Sequence, residues 1–262
     1  PIKGDLGLPK LGVARGDLTK LKGKVKHFYH LGAVYDIEAS AEAMEKANIT
    51  GTRGALEFAE AVNAGCFHLV SSIAAAGLYR GTFTEDMFEE AEELDHPYHS
   101  TKHDSEAMVR ANGRIPFRVY RPGAVLGHSQ TGFIDKIDGP YYFFKALQKL
   151  RESWPRSIPL VGIEGGYINV VPVDFVVDAL VHLSHQPKLD GRCFHLTDPK
   201  ARRVGEILNA FARAAPAPEM AFRLDSKIFD MVPDGVRKSV ERTRPIQNVF
   251  DQVLRDLQVP RS

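Results

Sequence analysis

Two segments of the chain decide its fold and point to its chemistry: Phe67-His68-Leu69-Val70-Ser71-Ser72 and Tyr98-His99-Ser100-Thr101-Lys102. The first is an apolar run that ends in two serines, which predicts a β-strand with hydroxyl groups at its carboxyl end. The second places a tyrosine and a lysine four residues apart at the start of a predicted helix, so both side chains share one face of that helix.

The sequence around these segments alternates short apolar runs with longer amphipathic ones. This pattern predicts strands at 25–31, 67–72, 117–120 and 193–196, and helices at 41–64, 100–111, 141–151, 174–185 and 204–214. The first of these helices is interrupted near residues 48–52. Short strands separated by helices predict βαβ crossovers and a parallel sheet, which holds ligands at the carboxyl ends of its strands.

The tyrosine and the lysine suggest acid–base chemistry. A tyrosine hydroxyl has a pKa of about 10 and is a weak acid at neutral pH. An ammonium group one helical turn away favours the phenolate and lowers that pKa, so Tyr98 and Lys102 together can transfer a proton to a carbonyl. A hydroxyl of Ser72 can hold the same oxygen. The alternative is a surface tyrosine and lysine that share helical spacing by chance.

Composition excludes several other classes of protein. The chain has 262 residues, with 34 basic and 33 acidic side chains and a net charge of +1, which gives no reason to expect a nucleic acid partner. Its two cysteines, Cys66 and Cys193, are too few for a disulfide framework and fit a reducing compartment. No apolar run is long enough for a membrane span, and the start does not resemble a secretory signal. We therefore expect a cytoplasmic protein.

Several further motifs occur in an order that resembles the extended short-chain dehydrogenase/reductase (SDR) superfamily, which is NAD-dependent epimerase/dehydratase-like. The chain is most similar to the thioester-reductase and fatty-acyl reductase branch, the male-sterility type. The motifs are Gly4-Asp5-Leu6, His30-Leu31-Gly32-Ala33, Asn48-Ile49-Thr50-Gly51-Thr52, Tyr120-Arg121-Pro122-Gly123-Ala124-Val125-Leu126-Gly127, Asn169-Val170-Val171-Pro172-Val173-Asp174 and Phe194-His195-Leu196-Thr197.

The resemblance implies an α/β fold: a Rossmann-type doubly wound parallel sheet with a smaller C-terminal substrate lobe. It implies that Ser72, Tyr98 and Lys102 are catalytic, that NADP or NAD is the cofactor, and that no metal takes part. Asp5 would contact adenine, and Asn48 would steady the active-site strand. The cofactor-binding residues implied by the resemblance are Asp5, Leu6, Leu31, Gly32, Ala33, Asn48, Ser71, Tyr98, Lys102, Tyr120, Pro122 and Val125.

One part of the family pattern does not occur in the sequence. A glycine-rich loop of the form G-x-x-G-x-x-G binds the cofactor pyrophosphate in the family, and these 262 residues contain no such spacing. We therefore expect that N-terminal strands are missing. The expected division is an incomplete dinucleotide-binding Rossmann core at 1–127, the remainder of the domain with the substrate lobe at 128–215, and a helical or irregular extension at 216–262.

Two other groups of residues have alternative interpretations. His96, His99 and His103 have a spacing that a zinc site can use, but we expect ordinary histidines on a helix surface, because no further ligands accompany them. The aromatic run Tyr141-Tyr142-Phe143-Phe144 is interpreted first as core packing and second as a pocket for an acyl chain or a flat ring.

The sequence thus predicts an NAD(P)H-dependent oxidoreductase that reduces a carbonyl or an acyl-thioester or aldehyde substrate. One alternative is a sugar-nucleotide or 3β-hydroxysteroid dehydrogenase or epimerase, because the same three residues serve all of them. Another is a non-catalytic SDR that acts as a binding module. The expected partner is a small-molecule carbonyl or acyl substrate, in a homodimer or in a larger multidomain protein.

Overall fold

The computed structural model describes residues 1–34, 39–135, 141, 144, 151–152, 160–164, 166–217 and 219–225. These residues fall into two compact units. The first combines Pro1–Gly132 with Val171–Thr197, and the second holds the described residues of Phe133–Val170 and Asp198–Ser262. Val171–Thr197 therefore groups with the first unit, whereas the sequence-based division assigned it to the second part of the chain.

In chain order the helices are α1 (Arg15–Leu21), α2 (Ala41–Glu45), α3 (Gly51–Ala61), α4 (Pro97–Ala111), α5 (Val173–His185) and α6 (Val204–Ala214). The strands are β1 (His27–His30), β2 (Cys66–Val70), β3 (Phe117–Pro122), β4 (Ala124–Leu126), β5 (Leu160–Glu164), β6 (Tyr167–Ile168), β7 (Val170–Pro172), β8 (Cys193–Leu196), β9 (Arg202–Arg203) and β10 (Met220–Asp225). Single tight turns occur at Pro9–Gly12 and Ile73–Ala76, and a π-helical turn at Lys46–Thr50 joins α2 to α3.

The first unit is built on a parallel sheet with strand order β1-β2-β3-β8. Phe67 of β2 lies opposite Phe28 of β1 and Phe117 of β3, and Val119 of β3 lies opposite Cys193 of β8. The predicted parallel α/β sheet is confirmed. Because all four strands run in the same direction, their carboxyl ends meet at one edge, where ligands bind in folds of this kind.

The centre of this sheet is buried on both faces, as parallel sheets generally are. On one face, Phe67 packs in a cluster with Ala55 and Ala59 of α3 and with Val62, the residue that follows α3. The small alanines let α3 approach the sheet closely. On the other face, Tyr120 packs in a cluster with Leu180 of α5. Replacing a fully buried phenylalanine such as Phe67 by alanine removes about 3–5 kcal/mol of stability in proteins generally.

The predicted interruption of the first long helix is confirmed. The π-helical turn Lys46–Thr50 separates α2 from α3, and it buries the side chain of Asn48. The wider turn directs the carbonyl oxygen of Asn48 to side-chain donors: Thr52 Oγ1 lies at 2.6 Å and Ser105 Oγ at 3.0 Å. The same carbonyl oxygen also accepts the backbone N–H of Gly51, so main-chain and side-chain donors share it.

The described residues of the second unit form two small sheets. Strands β5 and β10 pair in parallel, and β6 and β9 pair antiparallel. Neither β5 nor β10 is predicted by the sequence pattern, and β10 lies in the tail that was predicted to be helical or irregular. Phe211 of α6 packs against Phe144 and Tyr141, with ring centroids 5.0 and 6.0 Å away. Of the predicted helix at 141–151, the structure describes only residues 141, 144 and 151. Tyr142 and Phe143 therefore lie outside the described residues.

Candidate active site

The helix α4 begins at Pro97, three residues before the predicted start. Proline suits the first helical position, since it has no N–H to leave unpaired, and the Nδ1 atom of His96 accepts a hydrogen bond from the backbone N–H of Tyr98 at 3.2 Å. Both Tyr98 and Lys102 are therefore held in regular helix. They lie one turn apart, as their spacing predicted.

Lys102 is buried, with 6% of its surface exposed, and its Nζ donates a hydrogen bond to the carbonyl oxygen of Val70 at 3.3 Å. Val70 is the last residue of β2, two positions before Ser72. Burial lowers the pKa of the Lys102 ammonium to about 8, and the charge of Glu106 acts in the opposite direction. Lysine amines with such a pKa exchange protons readily near neutral pH.

Ser72 lies just after β2, in extended backbone, and begins the tight turn Ile73–Ala76. Its Oγ accepts a hydrogen bond from the backbone N–H of Ala74 at 3.1 Å. The next turns of α4 pack against this tight turn, where Nδ1 of His103 lies 3.0 Å from the carbonyl oxygen of Ala75. The structure thus brings the helix that carries Tyr98 and Lys102 to the end of the strand that precedes Ser72.

Asn48 connects the segment after β1 to the helix α4. Its Oδ1 accepts from the N–H of Val34 at 2.8 Å, and its Nδ2 donates to the carbonyl oxygen of Val34 at 3.0 Å and to Thr101 Oγ1 at 3.1 Å. Val34 directly follows Leu31, Gly32 and Ala33, which the family resemblance assigned to the cofactor. Asn48 therefore holds that segment beside the helix that carries Lys102.

The N-terminal segment also reaches the end of β1. A side chain at Gly32 would place its Cβ 2.9 Å from Cδ1 of Leu6, so the absence of a side chain there lets Leu6 pack closely. Asp5 Oδ1 accepts a hydrogen bond from the N–H of Gly7 at 2.8 Å, which closes a local turn. Asp5, Leu6 and Gly32, three of the predicted cofactor positions, thus fall in one neighbourhood.

The remaining predicted cofactor positions differ in exposure. Leu31 is 62% exposed just beyond β1, and Val125 in β4 is 37% exposed. Pro122 ends β3, and Ser71 is buried. The side chain of Tyr120 is fully buried, and its hydroxyl lies 3.0 Å from Nδ1 of His68 inside the sheet.

Sequence reasoning missed a buried ion pair beside these residues. Glu106, one turn after Lys102, is fully buried and accepts from Arg121 Nε at 3.0 Å and Arg121 Nη2 at 2.6 Å. Arg110 Nε and Ser71 Oγ also donate to the same carboxylate, at 2.8 and 2.9 Å. The spacing of Tyr98, Lys102 and Glu106, four residues apart each time, is the signal that could have found it.

Arg121 also holds the loop between β2 and α4. Its Nη1 and Nη2 donate to the carbonyl oxygen of Met87, each at 3.1 Å, and the guanidinium lies 5.2 Å from the ring centre of Phe83. The loop is closed at its base, where Leu78 N–H donates to the carbonyl oxygen of Glu92 at 2.7 Å. At Gly77, φ is +65° and a Cβ would overlap the carbonyl oxygen of Glu92, so only glycine fits.

The expectation of surface histidines on α4 is wrong for His99, which is 1% exposed. Burial lowers the pKa of His99 to about 4, and the backbone of Glu93 acts in the opposite direction. His96 instead caps the helix, and His103 stacks on Phe88 with ring centroids 4.2 Å apart. Among the residues that the structure describes, no three histidine, cysteine or acidic side chains are grouped to hold a metal ion.

The described residues fit one end of a dinucleotide cofactor. The Lys102 ammonium has three N–H donors, and within the described residues one of them is used by the carbonyl oxygen of Val70. The ammonium therefore retains donors for ribose hydroxyl groups. Exposed apolar side chains at Leu31 and Val125 suit a flat ring. For the pyrophosphate end, the sequence holds no glycine-rich loop motif.

A parallel sheet with serines at a strand end, and a tyrosine and a lysine one turn apart on the following helix, is the arrangement of a Rossmann-type extended SDR. The family model described as Male sterility protein, which defines an NAD-binding family, matches residues 1–180, and the chain belongs to this family.

Relatives with curated descriptions include synthetases and reductases. The chain is 30% identical over 218 residues to a linear gramicidin synthase of Brevibacillus parabrevis, covering 80% of this chain and 4% of that protein. It is 26% identical over 235 residues to aldehyde reductase lnbA of Aspergillus flavus, covering 82% of this chain and 23% of that protein. The chain thus spans less than a quarter of the length of either relative.

Solved structures support the same fold. The terminal R domain from the myxalamid PKS-NRPS biosynthetic pathway superposes with a TM-score of 0.74 at 26% identity, covering 99% of this chain and 63% of that one. UDP-glucuronic acid 4-epimerase from Bacillus cereus superposes with a TM-score of 0.62 at 19% identity, covering 83% of this chain and 67% of that one, which shows the fold alone. No helix in the described part of the chain has the length and apolar character to cross a membrane.

Proposed function

We propose that this chain is the reductase part of a larger protein and uses NADPH or NADH to reduce an acyl thioester or an aldehyde. The observation that carries the proposal is the buried Lys102 ammonium, which lies one turn from Tyr98 and donates to Val70, two residues before Ser72. Membership of an NAD-binding family, and similarity to an R domain and an aldehyde reductase, support this chemistry.

Each of the three side chains has a separate task in this proposal. The bound nicotinamide supplies the hydride. Ser72 holds the substrate carbonyl oxygen by a hydrogen bond, and Tyr98 donates its phenolic proton to that oxygen as negative charge develops on it. Lys102 favours the phenolate of Tyr98 by its positive charge, so the proton leaves more easily at neutral pH.

The proposed substrate class follows from the relatives. The resemblance to the thioester-reductase branch implies an acyl thioester, and the similarity to a linear gramicidin synthase subunit and to a terminal R domain supports such a substrate. The similarity to aldehyde reductases supports a free aldehyde as a second one. A larger multidomain protein is also proposed on this basis, because the chain spans only a part of these relatives.

The test is turnover of the full natural chain with NADPH and NADH, each offered an acyl thioester, an aldehyde and a UDP-sugar. We expect oxidation of one nicotinamide with the first or second substrate. Tyr98→Phe should lower turnover by about 10²–10⁴-fold while nucleotide binding persists, and Lys102→Ala should weaken both.

Tyr29→Phe is the matched control, because its hydroxyl donates to Ser184 Oγ at 2.8 Å on the α5 side of the sheet. It should retain turnover. Full activity of Tyr98→Phe would refute the assignment of the proton donor. Turnover of the UDP-sugar alone would favour an epimerase, and nucleotide binding without any turnover would favour a binding module.

A further inference from the structure

Beneath the proposed catalytic residues, α4 contacts the end of β2 at two successive turns. Lys102 Nζ donates to the carbonyl oxygen of Val70 at 3.3 Å, and one turn later the carboxylate of Glu106 accepts from Ser71 Oγ at 2.9 Å. Ser71 is also fixed through its backbone, since its N–H donates to the carbonyl oxygen of Tyr120 at 2.8 Å. The residue immediately before Ser72 is therefore anchored to both α4 and β3.

Glu106 is ionised although no part of its side chain reaches solvent. Burial opposes its charged form, but the hydrogen bonds and charges of Arg121 and Arg110 outweigh that effect and hold the pKa of the carboxyl below its ordinary value. Arg121 is fully buried and Arg110 is about three-quarters buried. An isolated pair of this kind contributes little stability by itself, because desolvation offsets the attraction. Its position beside Lys102 suggests a different role.

We propose that Glu106, held by Arg121, is a positioning residue that keeps Lys102 charged and fixes the strand end that presents Ser72. This inference rests on the proposed function, in which Lys102 must act as a cation beside Tyr98. Burial alone disfavours the ammonium of Lys102, and Glu106 is the group on the described residues whose negative charge opposes that effect.

Other groups around Lys102 do not supply this negative charge. His30 at the end of β1 is 5% exposed, and burial lowers its pKa to about 4, with a smaller contribution from the charge of Lys102. Tyr98 lies on the same helix, one turn before Lys102, and its hydroxyl is the proposed proton donor. Arg121 and Arg110 are cations and act on Lys102 through the carboxylate that they share.

The test measures the proton affinity of Lys102 without any need for turnover. The full natural chain is labelled with acetic anhydride across pH, and acetylation of each lysine is read from its peptide by mass spectrometry. We expect the midpoint of Lys102 labelling to fall by about one pH unit in Glu106→Gln, a tenfold loss of proton affinity. Glu106→Asp keeps the charge, so its midpoint should stay close to that of the unmodified protein.

Glu60→Gln is the matched control, because Glu60 pairs with Arg114 Nη1 at 2.9 Å beyond the end of α4. The midpoint of Lys102 labelling should not move in Glu60→Gln. If Glu106→Gln does not fold, Arg110→Gln decides the question: removing a cation from the shared carboxylate should raise the Lys102 midpoint. An unchanged midpoint of Lys102 labelling in a folded Glu106→Gln protein overturns the proposal. If that variant does not fold, an unchanged midpoint in Arg110→Gln overturns it.

Turnover then separates this inference from the proposed function. If the function holds, Glu106→Gln should lower kcat by about tenfold with KM altered less than about twofold, because the loss affects proton transfer rather than substrate binding. The high-pH limb of its rate profile should move to lower pH. A protein without reductase activity that still shows the labelling shift would refute the function and leave the effect of Glu106 on Lys102 in place.

Discussion

Nδ2 of Asn48 donates a hydrogen bond to Oγ1 of Thr101 across 3.1 Å, and this contact joins the π-helical turn to the residue that precedes Lys102. The side-chain amide of Asn48 also binds the backbone N–H and the carbonyl oxygen of Val34. One buried side chain thus fixes the separation between the segment after β1 and the helix α4. That separation sets how far the proposed cofactor segment, Leu31 to Ala33, lies from Lys102.

Replacing Asn48 by alanine should therefore cost stability. The change removes three hydrogen bonds and leaves the N–H and the carbonyl of Val34 without their partner, so the free energy of unfolding should fall by about 2–4 kcal/mol. Urea denaturation followed by circular dichroism measures the difference. Asn112→Ala is the control, because Asn112 donates to Glu60 Oε1 at 2.8 Å in a less buried place. Equal losses in the two variants would contradict a special role for Asn48.

Gly77→Ala tests the closure of the loop between β2 and α4. The new methyl group would overlap the carbonyl oxygen of Glu92, so the base of the loop must open. We expect a loss of about 3 kcal/mol or more, from the clash added to the strain of a positive φ. Thermal unfolding measures it.

Gly191→Ala separates the two causes of that loss. Gly191 has a φ of +77°, and a Cβ added there would have no atom within 4 Å, so only the backbone strain of about 1–2 kcal/mol applies. A Gly77→Ala protein no less stable than Gly191→Ala would show that the loop base gives way without cost.

Acid should destabilise the protein through its buried histidines. Burial lowers the pKa of His30, His68 and His99 to about 4. The unfolded chain binds protons at these positions below its ordinary histidine pKa of about 6.5, whereas the folded chain does not until about pH 4. Their contribution is therefore complete above about pH 6.5 and is lost as pH falls towards 4, by up to about 3 kcal/mol for each residue.

Chemical denaturation at a series of pH values measures this dependence. His68→Gln should flatten the slope between about pH 6.5 and 4, because one of these proton-binding differences is removed. The exposed His182 provides the control, and His182→Gln should leave the slope unchanged. A slope that His68→Gln does not alter would mean that His68 binds a proton as readily in the folded chain as in the unfolded one.

Local pattern was sufficient for most elements of the sheet. The strand Cys193–Leu196 and the helix Val204–Ala214 have the predicted bounds, because each is an apolar or amphipathic run with clear limits. The start of α4 was misplaced, since histidine is not among the usual capping residues and His96 fills that position. Strand β10 was missed because its pairing with β5 is a contact between distant parts of the chain.

The site could be predicted only as far as its residues form local motifs. Ser72, Tyr98 and Lys102 stand out by spacing, whereas the pair of Glu106 and Arg121 depends on how β3 lies beside α4. Arg121 was noted in its motif without a role, because an arginine after a tyrosine in a strand gives no indication of its partner. The burial of His99 was missed for a similar reason, because helical spacing alone does not say which face of α4 is buried.

The loop between Gly77 and Glu92 is closed at its base by two backbone hydrogen bonds, from Leu78 N–H to the carbonyl oxygen of Glu92 at 2.7 Å and from Glu92 N–H to the carbonyl oxygen of Ala76 at 3.2 Å. Apart from Phe83, which lies against the Arg121 guanidinium, the residues at its tip from Arg80 to Thr84 can therefore change over evolution while the strand end and the helix keep their places. The constraint at Gly77 permits this freedom, because a fixed closure lets the loop present different side chains beside an unchanged strand end.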